Sequence, residues 1–296
     1  MSTIKSILAA TDFSVNAARA AHRAALLASE HAAGVQLLHV VPEEVLGEFR
    51  QIFRSSIYVE QHILEDARRR LEALAEDLRP VTNSAPACFT RVGDVLNEVL
   101  AAADHADLLV LGAHGSRLLR DLLIGTTAER LLRKSRRPML VARQEALSAY
   151  RRVIVPVDFS VHSIAALRFA QQIAPAAKLV IFHAYEYPYE RELHAANVPE
   201  QTIEQYHTDR RNQALSNIES LRDRALAPGI RTTISVECGN AKTGIAAKAA
   251  ELAADLIVMG KYGRTFIGEF FLGGVTRHTV ARAQCDVAVV PEYSRL

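Results

Sequence analysis

Short apolar runs alternate with longer amphipathic segments along the whole chain. Runs such as Val35–Val41 and Leu108–Leu111 are continuously apolar, which is typical of strands buried on both faces of a sheet. Between them, the segment 58–78 carries apolar residues at helical spacing. These are Ile63, Leu64, Ala67, Leu71, Leu74 and Leu78. The alternation predicts an α/β fold with right-handed crossovers and a mostly parallel sheet.

The pattern predicts the same order of elements in each half of the chain. In the first half we predict strands at Ser6–Ala10, Val35–Val41, Ala85–Val92, Leu108–Leu111 and Pro138–Ala142, and helices at Val15–Ser29, Tyr58–Leu78, Val95–Ala103 and Thr126–Arg133. In the second half we predict strands at Arg152–Val157, Lys178–Ala184, Ile230–Glu237, Leu256–Met259 and Val287–Val290, and helices at Ser160–Ala174, Ile203–Ala227, Ala241–Ala253 and Thr276–Arg282.

The two halves are also related by repeated motifs. The segment 10–14, with Asp12 at its centre, recurs as 156–160 around Asp158, an offset of 146 positions. Because ordered motifs recur at one spacing, the chain is predicted to hold two tandem domains, at residues 1–147 and 148–296. Each is expected to be a doubly wound, five-stranded, mostly parallel sheet with helices on both faces. No Gly-, Ser- or Pro-rich linker separates them, so we expect the halves to pack together.

Composition and charge narrow the classes of partner. Lys and Arg number 35 against 33 Asp and Glu, so the basic excess that favours nucleic-acid binding is missing. No apolar run approaches the ~20 residues of a membrane span. Three scattered cysteines suit a reduced, cytoplasmic setting, and residues 1–5 lead directly into a strand, so we expect no secretory signal. The basic cluster 133–137 is interpreted as a helix C-terminus.

A glycine pattern follows the fourth strand of each half. In the first half, Gly112 and Gly115 flank Ala113 and His114, and after nine intervening residues come Gly125, Thr126 and Thr127. The second half has the same spacing, in the order Gly260, Gly263, Gly273, Gly274 and then Thr276. A strand that breaks into glycines and restarts as a helix directs backbone N–H groups toward an anion. The glycines are expected to allow positive-φ turns and close approach to a ligand, and the alternative is that they serve tight turns alone.

Asp12 and Asp158 follow the first strand of each half. In doubly wound sheets, ligands bind beyond the carboxyl ends of the strands, at the point where the strand order reverses. Asp12 and the Gly112 loop are therefore expected to face one crevice. Asp12 can accept hydrogen bonds from a base or ribose, or hold a Mg²⁺ ion that bridges phosphates. The alternative is that both aspartates only cap the following helices.

With these motifs the chain resembles the universal stress protein family in its tandem two-domain form, with an adenine nucleotide alpha hydrolase-like fold. The resemblance covers both halves, and it implies an ATP-type site in the first. Asp12 would lie near adenine and ribose, Val40 and Val41 would pack on the base, and the glycine loop would hold the phosphates. It further implies that Pro138–Val141 pairs with Val287–Val290 in an internal pseudo-dimer, and a further homodimer stays open.

The second half departs from the ATP-binding form of the motif. Gly273 and Gly274 stand where Ser or Thr is expected after the glycine, and the base-packing residues change to Ala184 and Tyr185. Phenylalanines at 266, 270 and 271 fill its loop. We expect this half to bind nucleotide more weakly, to bind another ligand, or to be structural.

The favoured hypothesis is that ATP is bound as a regulatory ligand, since no residue stands out as a general base. One alternative is a nucleotide-free interaction module. Another is a slow ATPase or autophosphorylating protein with Ser116, Thr126 or Thr127 as acceptor. His39 and His183 are interpreted as core residues. The segment 185–194 is interpreted as a solvated loop, or as a metal site formed by Glu186, Glu190, Glu192 and His194.

Overall fold

A computed structural model describes residues 4–52, 56–113, 125–263 and 272–291. The first half contains β1 (Ser6–Ala10), α1 (Val15–His31), β2 (Gly34–Pro42), α2 (Glu43–Ile52), α3 (Ser56–Leu78), β3 (Ala87–Gly93), α4 (Val95–Ala103), β4 (Leu108–Gly112), α5 (Thr126–Lys134) and β5 (Met139–Ala142). The second contains β6 (Arg152–Pro156), α6 (Val161–Ile173), β7 (Lys178–Tyr185), α7 (Glu190–Ala195), α8 (Glu200–Ala225), β8 (Thr232–Cys238), α9 (Ala241–Glu251), β9 (Leu256–Gly260), α10 (Gly274–Arg282) and β10 (Asp286–Val290).

The strands form one sheet in the order β3-β2-β1-β4-β5-β10-β9-β6-β7-β8. Within each half the neighbouring strands are parallel, which confirms the doubly wound α/β prediction. One face is covered by α1, α3, α6 and α8, and the other by α4, α5, α9 and α10. The strand order reverses between β1 and β4, so the candidate crevice lies at the carboxyl ends of these two strands.

The two halves meet through their last strands. β5 and β10 pair antiparallel, with Leu140 opposite Ala288 and Val141 opposite Val287. All four side chains are fully buried. Because this pairing is antiparallel, the strands of the two halves run in opposite directions. Their carboxyl ends therefore lie at opposite edges of the continuous sheet.

A buried ionic cluster fixes the connection between the halves. Asp286 is inaccessible to solvent, and its Oδ2 lies 2.9 Å from Arg23 Nε and accepts a 2.7 Å hydrogen bond from the Tyr150 hydroxyl. Its Oδ1 accepts the backbone N–H groups of Arg143 (2.7 Å) and Gln144 (3.1 Å). Burial and the nearby carboxylate raise the pKa of Tyr150 well above its usual range, so the phenol stays a donor. One carboxylate thus joins α1, β10 and the connecting segment.

Two short helices were not predicted. α2 follows β2 directly and carries Glu43 and Glu44 in its first turn, where acidic groups favour a helix N-terminus. α7 lies within the segment interpreted as a loop. Across the described residues, no group of three or more His, Cys, Asp and Glu side chains is placed to hold a metal, and no helix is long and apolar enough to cross a membrane.

Candidate functional site

A cavity of about 480 Å³ opens at the carboxyl ends of β1, β2 and β4. Six of the residues that line it were named from the sequence as ligand-binding. They are Asp12, Val40, Gly112, Gly125, Thr126 and Thr127. Asp12 and Thr126 are more than a hundred positions apart in the chain, so the fold brings them to one hollow.

The turn between β1 and α1 holds Asp12 at the rim. Its Oδ1 accepts a 3.0 Å hydrogen bond from the Ser14 N–H. Ser14 caps α1, as expected, because its hydroxyl oxygen accepts the Ala17 N–H at 3.2 Å. Phe13 between them has φ of 62°, which is uncommon for a residue with a side chain, and its N–H donates to Thr11 Oγ1 at 3.0 Å. These three local hydrogen bonds hold the turn in place, and the bond from Ser14 orients the carboxylate.

His39 supports this turn from β2. Its Nδ1 lies 2.8 Å from the Thr11 carbonyl oxygen, so this nitrogen carries the proton. Its ring lies 4.3 Å from that of Phe13. Burial lowers the pKa of His39, while the hydrogen bond to Thr11 opposes that shift. His39 is bonded within the fold, as a core histidine would be, and it also lines the cavity.

The start of α5 forms the opposite wall. Gly125 occupies the N-cap position, and no side chain caps this end in the described part of the chain. The Gly125 N–H donates to the Ala113 carbonyl at 3.0 Å, which ties the helix start to the end of β4. The N–H groups of the first turn have no partner within a helix, and the dipole makes this end positive. The arrangement suits an anion, and the exposed Thr126 and Thr127 add two hydroxyls.

Gly112 is required by packing, and its expected role in a positive-φ turn is wrong. Its φ is not positive, and a Cβ at this position would lie 2.7 Å from both the carbonyl carbon and the oxygen of Asn16. The second half repeats this contact, since a Cβ on Gly260 would lie 2.7 Å from that of His162. These glycines let the first turn of α1 or α6 approach the strand closely.

Val41 does not share the cavity with Val40. Side chains alternate between the faces of a strand, so Leu38, Val40 and Pro42 share one face and line the cavity, while Val41 packs under α2 with Leu46. His39 also lines the cavity, from the face that it shares with Val41. Applying this alternation to the sequence would have identified Leu38 and Pro42. His114 and Gly115 lie outside the described residues, as do Ser116 and the phenylalanines at 266, 270 and 271.

Asp158, the equivalent carboxylate in the second half, accepts more hydrogen bonds from neighbouring side chains. Asp158 Oδ1 accepts hydrogen bonds from the Ser160 N–H (3.1 Å) and hydroxyl (2.6 Å), and from the Ser163 hydroxyl (2.8 Å). Ala17 occupies the Ser163 position in the first half and supplies no hydroxyl. Asp158 is therefore less available to a ligand at this oxygen.

The remaining candidate binding residues of the second half differ in how exposed they are to solvent. Thr276 is buried, and its hydroxyl donates to the Gly260 carbonyl at 3.0 Å. It therefore serves the fold, and Ala128 is its counterpart in α5. Gly274 is exposed at the start of α10, in the position of Thr126, and offers no hydroxyl. Gly263 lies close to Asp158, since a Cβ there would be 3.0 Å from Oδ2, and Gly273 is the N-cap of α10.

Comparison with protein families decides the classification. The model of the universal stress protein family matches residues 3–143 and again residues 149–291. The chain belongs to the universal stress protein family. It carries the family's module twice, and the predicted boundary at 147/148 falls between the two matched segments.

Similar proteins match either one half of the chain or its whole length. Universal stress protein MJ0577 of Methanocaldococcus jannaschii is 27% identical over 157 residues, which cover 48% of this chain and 96% of that protein. A universal stress protein of Thermus aquaticus is 30% identical over 145 residues, covering 48% of this chain and 98% of its own length. A solved universal stress protein from Archaeoglobus fulgidus shares the fold of the whole chain, with a TM-score of 0.65, 19% identity, and coverage of 97% of this chain and 98% of that one.

Proposed function

We propose that the first half binds an adenine nucleotide, with ATP as the preferred form, and that the bound nucleotide is a regulatory signal. The observation that carries the proposal is the shared cavity of Asp12, Val40 and the start of α5. Its volume of about 480 Å³ lies within the ~300–1,000 Å³ typical of small-molecule sites.

The walls of the cavity change from apolar to polar along its length, and this order matches the base, ribose and phosphates of a nucleotide. Leu38, Val40 and Val99 offer an apolar surface for the base. Asp12 stands where its carboxylate can accept ribose hydroxyls. The N–H groups at the start of α5 and the hydroxyls of Thr126 and Thr127 supply donors for phosphate oxygens. Asp12 is also the residue that we propose for Mg²⁺ bound together with the phosphates.

We also propose that the chain is an internal pseudo-dimer of two domains, residues 1–147 and 148–296. The pairing of β5 with β10 supports this, because each strand supplies hydrogen-bond partners for backbone groups that would otherwise be unpaired at the edge of the other half's sheet. A further homodimer would then use other surfaces, and native mass spectrometry measures it.

The proposal is tested with two matched variants, Thr126→Asp and Gly274→Asp. Both place a carboxylate in the first turn of a helix, where the dipole tolerates it. Gly274 can accept the change because a Cβ there meets nothing within 4 Å. In the first half the new carboxylate repels phosphate, so isothermal titration should show ATP affinity falling at least about ten-fold in Thr126→Asp.

Gly274→Asp is the control and should bind ATP as the wild type does. Wild-type protein that shows no heat of binding with ATP up to ~1 mM, with or without Mg²⁺, would rule the proposal out. An equal loss in both variants would mean that the effect is not specific to the first half. Intact-mass measurement after incubation with ATP separates binding from phosphate transfer to Thr126 or Thr127.

A further inference from the structure

The second half contains a cavity of different character. It measures about 350 Å³ and lies at the carboxyl ends of β7 and β8, between the starts of α9 and α10. Its charged walls are Arg210 from α8, Lys242 from α9 and Glu186. In the described part of the chain, Arg210 and Lys242 form no side-chain ion pair, so both cations are available to a ligand.

A narrower slot of about 160 Å³ adjoins it. Phe159, Tyr185 and Asn217 contribute to its walls, and Arg210 lines both the slot and the larger cavity. Arg210 therefore stands where the two spaces meet. A single planar ring in the slot would bring an attached oxyanion to its guanidinium group.

The first half has apolar residues at the positions of Arg210 and Lys242. The buried faces of α3 and α8 align Ala67 with Ala214, which places Ile63 opposite Arg210. The caps of α4 and α9 align Leu96 with Lys242. Two apolar positions of one module have thus become cationic in the other. This change gives the second cavity a charge that suits an anion.

The aromatic wall of the slot is held in place by its neighbours. The Tyr185 and Tyr187 hydroxyls lie 3.3 Å apart. Tyr187 stacks on His207 at 3.8 Å between ring centroids, and His207 Nε2 lies 3.1 Å from Glu190 Oε1. α7 supplies Glu190, so this helix braces the aromatic cluster. A preorganised wall lowers the entropy lost when a ligand is ordered against it.

Over the described ranges of the chain, the slot is not lined by the second glycine motif, whereas Val275, which lies within that motif, lines the larger cavity. Asp158, Gly260, Gly263 and Gly273 are absent from the described residues that line either space. We propose that the second half binds a small organic anion, composed of one planar ring with a carboxylate or phosphate group. The ring enters the slot beside Tyr185, and the oxyanion lies between Arg210 and Lys242. This site is independent of the nucleotide proposed for the first half.

Two probes test the proposal on the full-length chain, 4-hydroxybenzoate and phenyl phosphate. Both carry one ring and one oxyanion, and neither contains a nucleoside. Isothermal titration at low ionic strength should detect at least one of them with a Kd below about 1 mM. The preferred probe identifies the oxyanion as carboxylate or phosphate.

Variants locate the site. Arg210→Ala and Lys242→Ala should each weaken binding at least about ten-fold, because each removes a charge-assisted hydrogen bond. Arg211→Ala is the matched control, since Arg211 is exposed on the same helix and lines neither space. Glu186→Gln should tighten binding, because it removes the negative charge from the wall.

Two results would overturn the proposal. One is that Arg211→Ala weakens probe binding as much as Arg210→Ala does, and the other is that the wild type binds neither probe. Thr126→Asp should leave probe affinity unchanged, and Arg210→Ala should leave ATP affinity unchanged. A failure of one site is therefore distinguishable from a failure of the other.

Discussion

Gly112 shows how one residue can serve the site through packing alone. Its missing side chain lets the backbone of Asn16 approach β4, and this brings the Asp12 turn over the cavity. The same close contact recurs at Gly260 in the second half. There we expect Asp158, the equivalent of Asp12, to bind a ligand more weakly. The glycine is therefore required by the fold whether or not a nucleotide is bound.

Gly112→Ala should destabilise the protein by about 1–3 kcal/mol, since the added carbon overpacks backbone atoms. Gly47→Ala is the opposite case, because a Cβ there meets nothing and the position lies within α2. That change should stabilise by roughly 0.5–1 kcal/mol. Urea unfolding measures both, and a Gly112→Ala protein as stable as the wild type would contradict the packing argument.

His39 gives the fold a dependence on pH. Because burial lowers its pKa in the folded state, protons bind more strongly to the unfolded chain. Its contribution to stability is complete above the unfolded pKa of about 6.5 and is lost as the pH falls through the lower folded value. The free energy of unfolding should therefore decrease from pH 7 to pH 5, and less steeply in His39→Gln. Equal slopes for the two proteins would contradict this assignment.

Sequence reasoning found candidate residues that line the cavity where each one follows a strand or begins a helix. Asp12, Gly112 and Thr126 could be found because strand ends and helix starts are visible in the apolar pattern. Val41 was grouped wrongly with Val40 because strand alternation was not applied. Thr276 resembled a ligand-binding hydroxyl, and its use by the Gly260 carbonyl depends on a distance that no pattern encodes.

At the scale of elements, α5 connects the two halves. Its start lines the first cavity, and its C-cap carbonyl, on Ser135, accepts a 3.0 Å hydrogen bond from Lys261 Nζ of the second half. In return, the Arg143 guanidinium bonds the Val280 carbonyl of α10. Each half thus supplies a cation to carbonyls of the other's last helix, where the negative end of the dipole favours it.

Lys261→Ala should cost about 1–3 kcal/mol, because it leaves the buried Ser135 carbonyl without this donor. Burial lowers the pKa of Lys261 to about 8, so the ammonium is charged at pH 7, where the comparison is made. Lys134→Ala, at an exposed position of α5, should change stability by less than ~0.5 kcal/mol. Similar losses in both variants would argue against the inter-domain bond.

The short helices α2 and α7 mark the limit of prediction at this scale. Both follow the second strand of their half, in segments too short for a periodic pattern to be distinctive. α2 packs Leu46 against Val41, and α7 directs Glu190 to His207. These contacts are tertiary, so local sequence does not determine the helices alone.

For the whole molecule, the repeated motifs predicted two modules, and the family model matches the chain twice. The buried ionic cluster that joins the two halves was not predicted. Arg23 lies on an alanine-rich helix and Asp286 begins a strand, and nothing in either neighbourhood indicates the other. Their pairing depends on how the modules dock. Comparing the two halves does not reveal the pair either, because Phe169 occupies the position of Arg23 in the second half and Pro138 that of Asp286 in the first.

Asp286→Ala should destabilise the protein by about 3–5 kcal/mol, because the buried Arg23 cation loses its counter-charge. The double variant Arg23→Met, Asp286→Ala should be more stable than Asp286→Ala alone. Arg19→Ala is the control, since Arg19 lies 3.9 Å from Glu145 on the surface and such pairs contribute ~0–1 kcal/mol. Denaturant unfolding measures each, and a double variant weaker than Asp286→Ala would refute the buried pair.

The crystal structure of the full chain grown with millimolar ATP and Mg²⁺ tests the central claim most directly. We predict one adenine nucleotide in the first half, with its base against Val40, its ribose beside the Asp12 carboxylate and its phosphates at the start of α5. A first-half cavity without nucleotide, or phosphates pointing away from Thr126, would contradict the account.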